Sequence, residues 1–362
     1  MKISNHRRLL ALTGSTTLVL VAGWGSAAQA APATASPAWK TSAATTNCPA
    51  SVGVLTPNRS ADYYQAHPDQ MSQPSSKHRA TATDSPVLKV LNHMATARTK
   101  WLTSITCTPG RPGQPVLKKA PTGSVYNSSS TNWSGYQTGK KGGYLAAAME
   151  WVVHPAVAAS STETISSIWP GIGTGNSTSD SLIQAGTHQD AACNASSCTT
   201  SYYPWFEIYP QESEQEITNL TVSPGDYVGV VVEYDPETAD AYFEVDNYTT
   251  GLGVYAYQYV TGSIVGSGTQ AEWIVERPTK CFIICQMGKL TNFGTEPIGY
   301  AQAVYGSLWS DPNLVWSNAG TLSPDAISMY SCSGTLMSQP GAISSGTNFN
   351  VVWKSYGNWE SC

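Results

Sequence analysis

From about residue 122 onward, runs rich in Val, Ile, Tyr, Trp and Thr alternate with Gly, Asn, Ser and Pro clusters every ten residues or so, the pattern of short strands joined by turns. It predicts strands over 144–153, 164–169, 181–186, 202–209, 227–234, 241–245, 254–260, 272–276 and 348–353. Ser223-Pro224-Gly225-Asp226 and Thr249-Thr250-Gly251 are turn signals between neighbours. No amphipathic helical periodicity is present after residue 122. The expectation is all-β: a β-sandwich of two antiparallel sheets, jelly-roll or concanavalin-like, over residues 122–362. After about residue 306 only a strand or two is expected.

The first 121 residues read differently. Arg7 and Arg8 precede an apolar stretch over 9–23, and Ala28-Gln29-Ala30 supplies the small residues of a cleavage site. Residues 1–30 therefore read as a signal peptide, too short to span a bilayer. The residues after Arg7-Arg8 match a twin-arginine signal poorly. The mature chain is expected outside the cell, with no membrane partner. Residues 31–121 read as a pro-segment. Its Ala/Thr/Ser/Pro-rich start, 31–46, predicts disorder. Thr83-Asp84-Ser85-Pro86 can cap a helix running through Val87-Leu88 and Val90-Leu91 to Trp101-Leu102. Pro109 to Pro121, with four prolines and Lys118-Lys119, predicts an exposed linker open to proteolysis.

Charge sharpens this division. Residues 31–120 carry ten Lys/Arg and three Asp, a net +7; residues 121–362 carry six Lys/Arg and twenty-one Asp/Glu, a net −15. So acidic a domain argues against nucleic acid, which needs a basic face. The basic segment is instead expected to bind the domain as an intramolecular inhibitor, through an attraction that fades as carboxylates protonate. Eight cysteines in an exported chain read as disulfides. Spacing suggests Cys193–Cys198, Cys281–Cys285 and Cys332–Cys362, with Cys48 and Cys107 left as a pair in the basic segment.

Candidate chemistry narrows to carboxylates and amides. The acidic domain has two histidines, His154 and His188, neither in a nucleophile elbow nor in a helical zinc motif. No metal or cofactor is expected. With a side-chain period of two, Glu272, Ile274 and Glu276 share one strand face, and Ala271, Trp273 and Val275 the other. A face with two carboxylates is either a solvent face or a cleft wall. In the second case its apolar setting raises a carboxyl pKa and suits acid–base work. Gln184 lies in the run Ser181-Leu182-Ile183-Gln184-Ala185-Gly186, and Glu207 among the aromatics of Trp205-Phe206-Glu207-Ile208-Tyr209. The latter also fits a strand edge with stacked rings.

Asn132-Trp133-Ser134-Gly135, Trp169-x-Gly-Ile172, Ile183-Gln184-x-Gly186, Phe206-Glu207-x-Tyr209-Pro210 and Ala271-Glu272-Trp273-Ile274-Val275-Glu276 occur in this order. Over roughly 127–305 this set resembles the glutamic peptidases, or eqolisins, which are secreted acid-acting endopeptidases. The resemblance implies a Gln–Glu catalytic dyad at Gln184 and Glu276, with Trp133, Trp169 and Glu207 lining the substrate cleft. Glu272 is then a neighbour of the dyad. Two positions depart from the family: Gly173 replaces an Asp, and His188 replaces another. Glu276 would deprotonate water and return the proton to the leaving nitrogen, while Gln184 donates to the oxyanion.

Two other classes fit parts of the pattern. A glycoside hydrolase would use Glu207 and Glu276, with carboxyls about 5–9.5 Å apart. A non-catalytic lectin-like module would explain the aromatics but not the pro-segment. The expected state is a monomer acting on polypeptides.

Overall fold

A computed structural model describes residues 40–41, 45–55, 100–110, 127–138, 143–159, 162–173, 181–194, 196–261, 268–281, 284–309 and 314–362. The strands that build the fold start in the N-terminal segment with β1 (Val52–Leu55), β2 (Lys100–Trp101) and β3 (Ile105–Pro109). Next come β4 (Trp133–Gln137), β5 (Tyr144–Val152), β6 (Ser167–Gly173), β7 (Leu182–Cys193), β8 (Cys198–Tyr209) and β9 (Glu212–Ile217). Then follow β10 (Tyr227–Asp235), β11 (Asp240–Asn247), β12 (Leu252–Tyr259) and β13 (Gln270–Glu276). The last are β14 (Thr295–Tyr305), β15 (Asp325–Tyr330), β16 (Leu336–Pro340) and β17 (Phe349–Trp353).

Apart from β2, which joins β12 in parallel, these strands form one antiparallel ladder in the order β3–β9–β8–β7–β6–β13–β4–β15–β16–β17–β14–β5–β10–β11–β12–β1. The ladder doubles over, so that β6, β7 and β13 pack face to face on β5, β10 and β11. The result is the expected two-layer sandwich. Ile183, Ala185, Phe206, Trp273 and Val275 of the first layer meet Met149, Trp151, Val230 and Phe243 of the second in one core. The Val, Ile, Met and Phe side chains among them, fully buried, stabilise by about 1.5–3 kcal/mol each.

All nine predicted strands are present, several of them longer than their apolar runs. β7 and β8 pair from Leu182↔Tyr209 to Cys193↔Cys198, because the polar run after Gly186 stays in the ladder. Four strands, Val315–Asn318 among them, lie beyond residue 306, more than expected. The four disulfides join the expected partners. Among the described residues the helical content after 122 is one 3-10 turn, Ala319–Leu322, and no helix is long and apolar enough to cross a membrane.

The N-terminal segment differs more from expectation. The signal peptide and most of the predicted helix lie outside the described residues. At the end of that helix Lys100–Trp101 is a strand, because its backbone bonds to the edge of β12. Lys40–Thr41 and Thr45–Thr46, in the stretch expected to be disordered, are short strands.

Candidate active site

The alternation that sends Ala271, Trp273 and Val275 into the core turns Glu272, Ile274 and Glu276 to the opposite face of the first layer. This is not a solvent face. Ile274 joins Trp133, Trp169, Leu182, Trp205 and Ile327 in a second apolar cluster there. Glu272 and Glu276 are 2% and 7% exposed, and Gln184 and Glu207 both 2%. The sequence-predicted Gln184, Glu276, Trp133, Trp169 and Glu207 therefore share one buried face.

Glu276 is held by two N–H donors. Trp169 Nε1 donates to its Oε2 at 2.7 Å, and Asn132 Nδ2 to its Oε1 at 3.3 Å. Trp133 meets Trp169 edge-on, with ring centroids 5.1 Å apart, and so holds the donating indole. Burial pushes the Glu276 pKa up to about 7, against the pull of these donors and of the His188 charge. Gln184 Nε2 donates to Glu207 Oε2 at 2.6 Å. Glu207 is raised well above the usual carboxyl range, first by burial and then by the nearby charge of Glu214, with the Gln184 bond opposing. Gln184 Oε1 has no hydrogen-bond partner among the described residues. The amide is thus held from its nitrogen end.

His188, at one departure from the family pattern, lies 2.7 Å through Nε2 from Glu214 Oε2 and stacks on Tyr203 at 4.8 Å. In the ladder His188 pairs with Ser167, which pairs with Glu276. At the other departure, a Cβ on Gly173 would lie 3.0 Å from Glu272 Oε1. Glycine there spares Glu272 a like-charged neighbour.

Register separates the two glutamates. Gln184 pairs with Gly171, which pairs with Glu272, so Glu272 shares the Gln184 row; Glu276 lies four residues further along β13. No hydrogen bond joins Gln184 to Glu276 among the described residues. On a flat sheet the offset puts their Cα atoms about 16 Å apart. Trp169 fills the row between, its indole spanning from Gly171 to Glu276.

A buttress behind Glu276 was not anticipated. Arg277, fully buried, donates from Nη1 to Glu360 Oε1 at 2.7 Å and from Nη2 to Thr131 O at 2.8 Å. Its backbone N–H bonds Asn132 O at 2.7 Å. Cys332 N, beside the Cys332–Cys362 disulfide, donates to the same Glu360 oxygen at 3.0 Å. The C-terminal tail thus fixes the turn that presents Asn132 to Glu276. An Arg directly after a candidate catalytic Glu was the one visible signal.

A buried amide and a donor-bound carboxyl thus share one aromatic face of a β-sandwich. The model of the peptidase A4 family matches residues 131–319, about half of the chain, and the chain belongs to that family of glutamic peptidases. This removes the glycosidase and lectin readings. Among solved structures, scytalido-glutamic peptidase with a peptide-based transition-state analogue matches at 18% identity. The match covers 62% of this chain and 98% of that one, with a TM-score of 0.48. SCP-B, an eqolisin in complex with the tripeptide Ala-Ile-His, matches at 19% over the same shares, with a TM-score of 0.45. Aspergilloglutamic peptidase from Aspergillus niger matches at 24% over 53% of this chain and 99% of that one, with a TM-score of 0.41. No curated protein matches.

Proposed function

We propose that this glutamic peptidase is an exported, acid-acting endopeptidase made as a zymogen, with Glu276 as general acid–base and Gln184 as oxyanion donor. The observation that carries the assignment is the pair of N–H donors on Glu276, from Trp169 and Asn132. Indole and amide N–H groups favour the ionised carboxylate.

In the full-length chain Gln184, Glu207 and Glu276 are almost wholly closed from solvent. Closure keeps Glu276 protonated below about pH 7. Admission of substrate and water relieves the burial, while the two donors stay, and the carboxyl moves back toward the free value near ~4.3. Ionised Glu276 then takes a proton from the attacking water as the water oxygen bonds to the scissile carbonyl carbon. Gln184 donates its second amide hydrogen to the carbonyl oxygen as that oxygen becomes negative. The protonated Glu276 passes its proton to the nitrogen as the C–N bond breaks.

The zymogen reading makes the +7 segment 31–121 an intramolecular inhibitor of the −15 domain for as long as the linker joins the two. Export rests on the signal-like residues 1–30, and the four disulfides suit an oxidising compartment. The test is digestion of a denatured protein at about pH 4, near the free carboxyl value, with products sequenced by mass spectrometry. Internal peptide fragments are expected. Intact substrate after acid processing of the chain would overturn the reading.

A further inference from the structure

The sandwich ladder has two ends, and the N-terminal segment forms both. At one end β3 pairs with β9, in the register Cys107↔Ile217, Thr108↔Glu216 and Pro109↔Gln215. Gly110 N donates to Glu214 O at 2.7 Å, and Thr218 N to Thr106 O at 2.8 Å. At the other end β1 pairs with β12, matching Val52↔Gln258, Gly53↔Tyr257 and Val54↔Ala256. Below it Lys100 N and Leu102 N each donate at 2.7 Å to Gly251 O and Gly253 O. The Cys48–Cys107 disulfide ties the region of β1 to β3.

These strands are built into the core. Val52, Val54, Ile105 and Cys107 are at most 1% exposed, in the same cluster as Phe243 and Trp273. Trp101 meets Tyr255 edge-on at 5.0 Å. Asn219 clamps the turn before β3, donating to Ser104 O at 2.8 Å and accepting from Thr106 N at 3.0 Å.

A charge-held inhibitor lets go in acid because its contacts titrate. The contacts of β1, β2 and β3 are backbone bonds and buried apolar side chains, which acid does not neutralise. Their departure would bare two sheet edges, a hazard that folded proteins avoid, and would open voids in the core. We propose that residues 45–110 remain in the mature enzyme as a second chain after the 109–121 linker is cut near Lys118-Lys119, closing both edges of the sandwich. Activation is then cleavage of the linker and not loss of the segment. Every disulfide lies wholly on one side of the linker, so the two chains are held without a covalent bond. The retained chain also serves the site, since β3 pins β9 where Glu214 meets His188.

The experiment uses the full-length chain carrying Glu276→Gln, with a site-specific protease sequence inserted between Lys118 and Lys119. The outcome therefore does not depend on Glu276 being the base. After the cut, gel filtration at about pH 4 and about pH 7, on either side of carboxyl titration, should show both fragments co-eluting. A denaturing gel without reductant should separate them. Val54→Asp should abolish co-elution. Asn219→Ala, which spares the core, should lower the melting temperature of the cut complex by several degrees. Release of the small fragment at either pH, from a large fragment that keeps its melting temperature, would overturn the proposal.

Discussion

Both layers of the sandwich bury carboxyls on the face turned away from the shared core, in different company. On the first layer Glu276 accepts N–H bonds from an indole and an amide, and Gln184 bonds Glu207. On the second, Glu150 accepts from the hydroxyls of Tyr227 and Tyr248, and Glu233 from Tyr255. Glu244 and Asp246, 1% and 0% exposed, lie two residues apart on the same face of β11. Burial, then the charges of Asp246 and Glu233, push the Glu244 pKa well up. Burial alone therefore does not mark a catalytic carboxyl. Fixed N–H donors stabilise the charge that Glu276 must carry in turnover, whereas clustered carboxyls hold one another's protons.

That contrast should break first at the amide. Gln184→Ala should cost about 10²–10³ in kcat/KM, as loss of an oxyanion donor does. Glu244→Gln should leave kcat/KM near parental and raise the melting temperature at pH 7. Equal losses would erase the distinction between the faces. The buttress comes next. Glu360→Gln leaves the buried Arg277 guanidinium unpaired, a defect worth about 3–5 kcal/mol. Chemical denaturation should show that loss, with kcat falling more than KM changes as Asn132 shifts.

Stability should also depend on pH, in a direction set by the raised carboxyls. Glu233, Glu276 and Glu296 are each raised by burial to about 7. The folded chain thus binds more protons than the unfolded chain between about pH 4.5 and 7. Their favourable contribution is complete below that window and is lost as pH rises through it, on the order of 1–3 kcal/mol per group. Urea midpoints at pH 4 and pH 7 check this: the acid value should be higher. The smallest effect is at His188, whose charge lowers the Glu276 pKa. His188→Asp should move the acid limb of the kcat/KM–pH profile upward, because the base then ionises later.

Much of this was legible in the chain. Period-two alternation in 271–276 separated Trp273 from Glu276 correctly, and the motif set brought Gln184, Glu207, Trp133 and Trp169 to the same face. The polar half of the β7–β8 hairpin was not legible, because His188 and Asp190 are buried by tertiary contacts that no local periodicity encodes. β1 and β3 escaped notice for a related reason. Four or five residues carry little pattern of their own, and the edges of β12 and β9 make them strands. The Glu360–Arg277 pair joins positions 83 residues apart, with one partner outside the family match. Neither spacing nor composition could reveal it.

Register leaves Glu272, and not Glu276, in the row of Gln184, so the choice between them bears the whole mechanism. The direct measurement is kcat/KM at about pH 4 for Glu276→Gln and Glu272→Gln, each with the linker cut. A loss of about 10³-fold or more is predicted for Glu276→Gln, with near-parental activity for Glu272→Gln. The reverse order would contradict the account and make Glu272 the acid–base group.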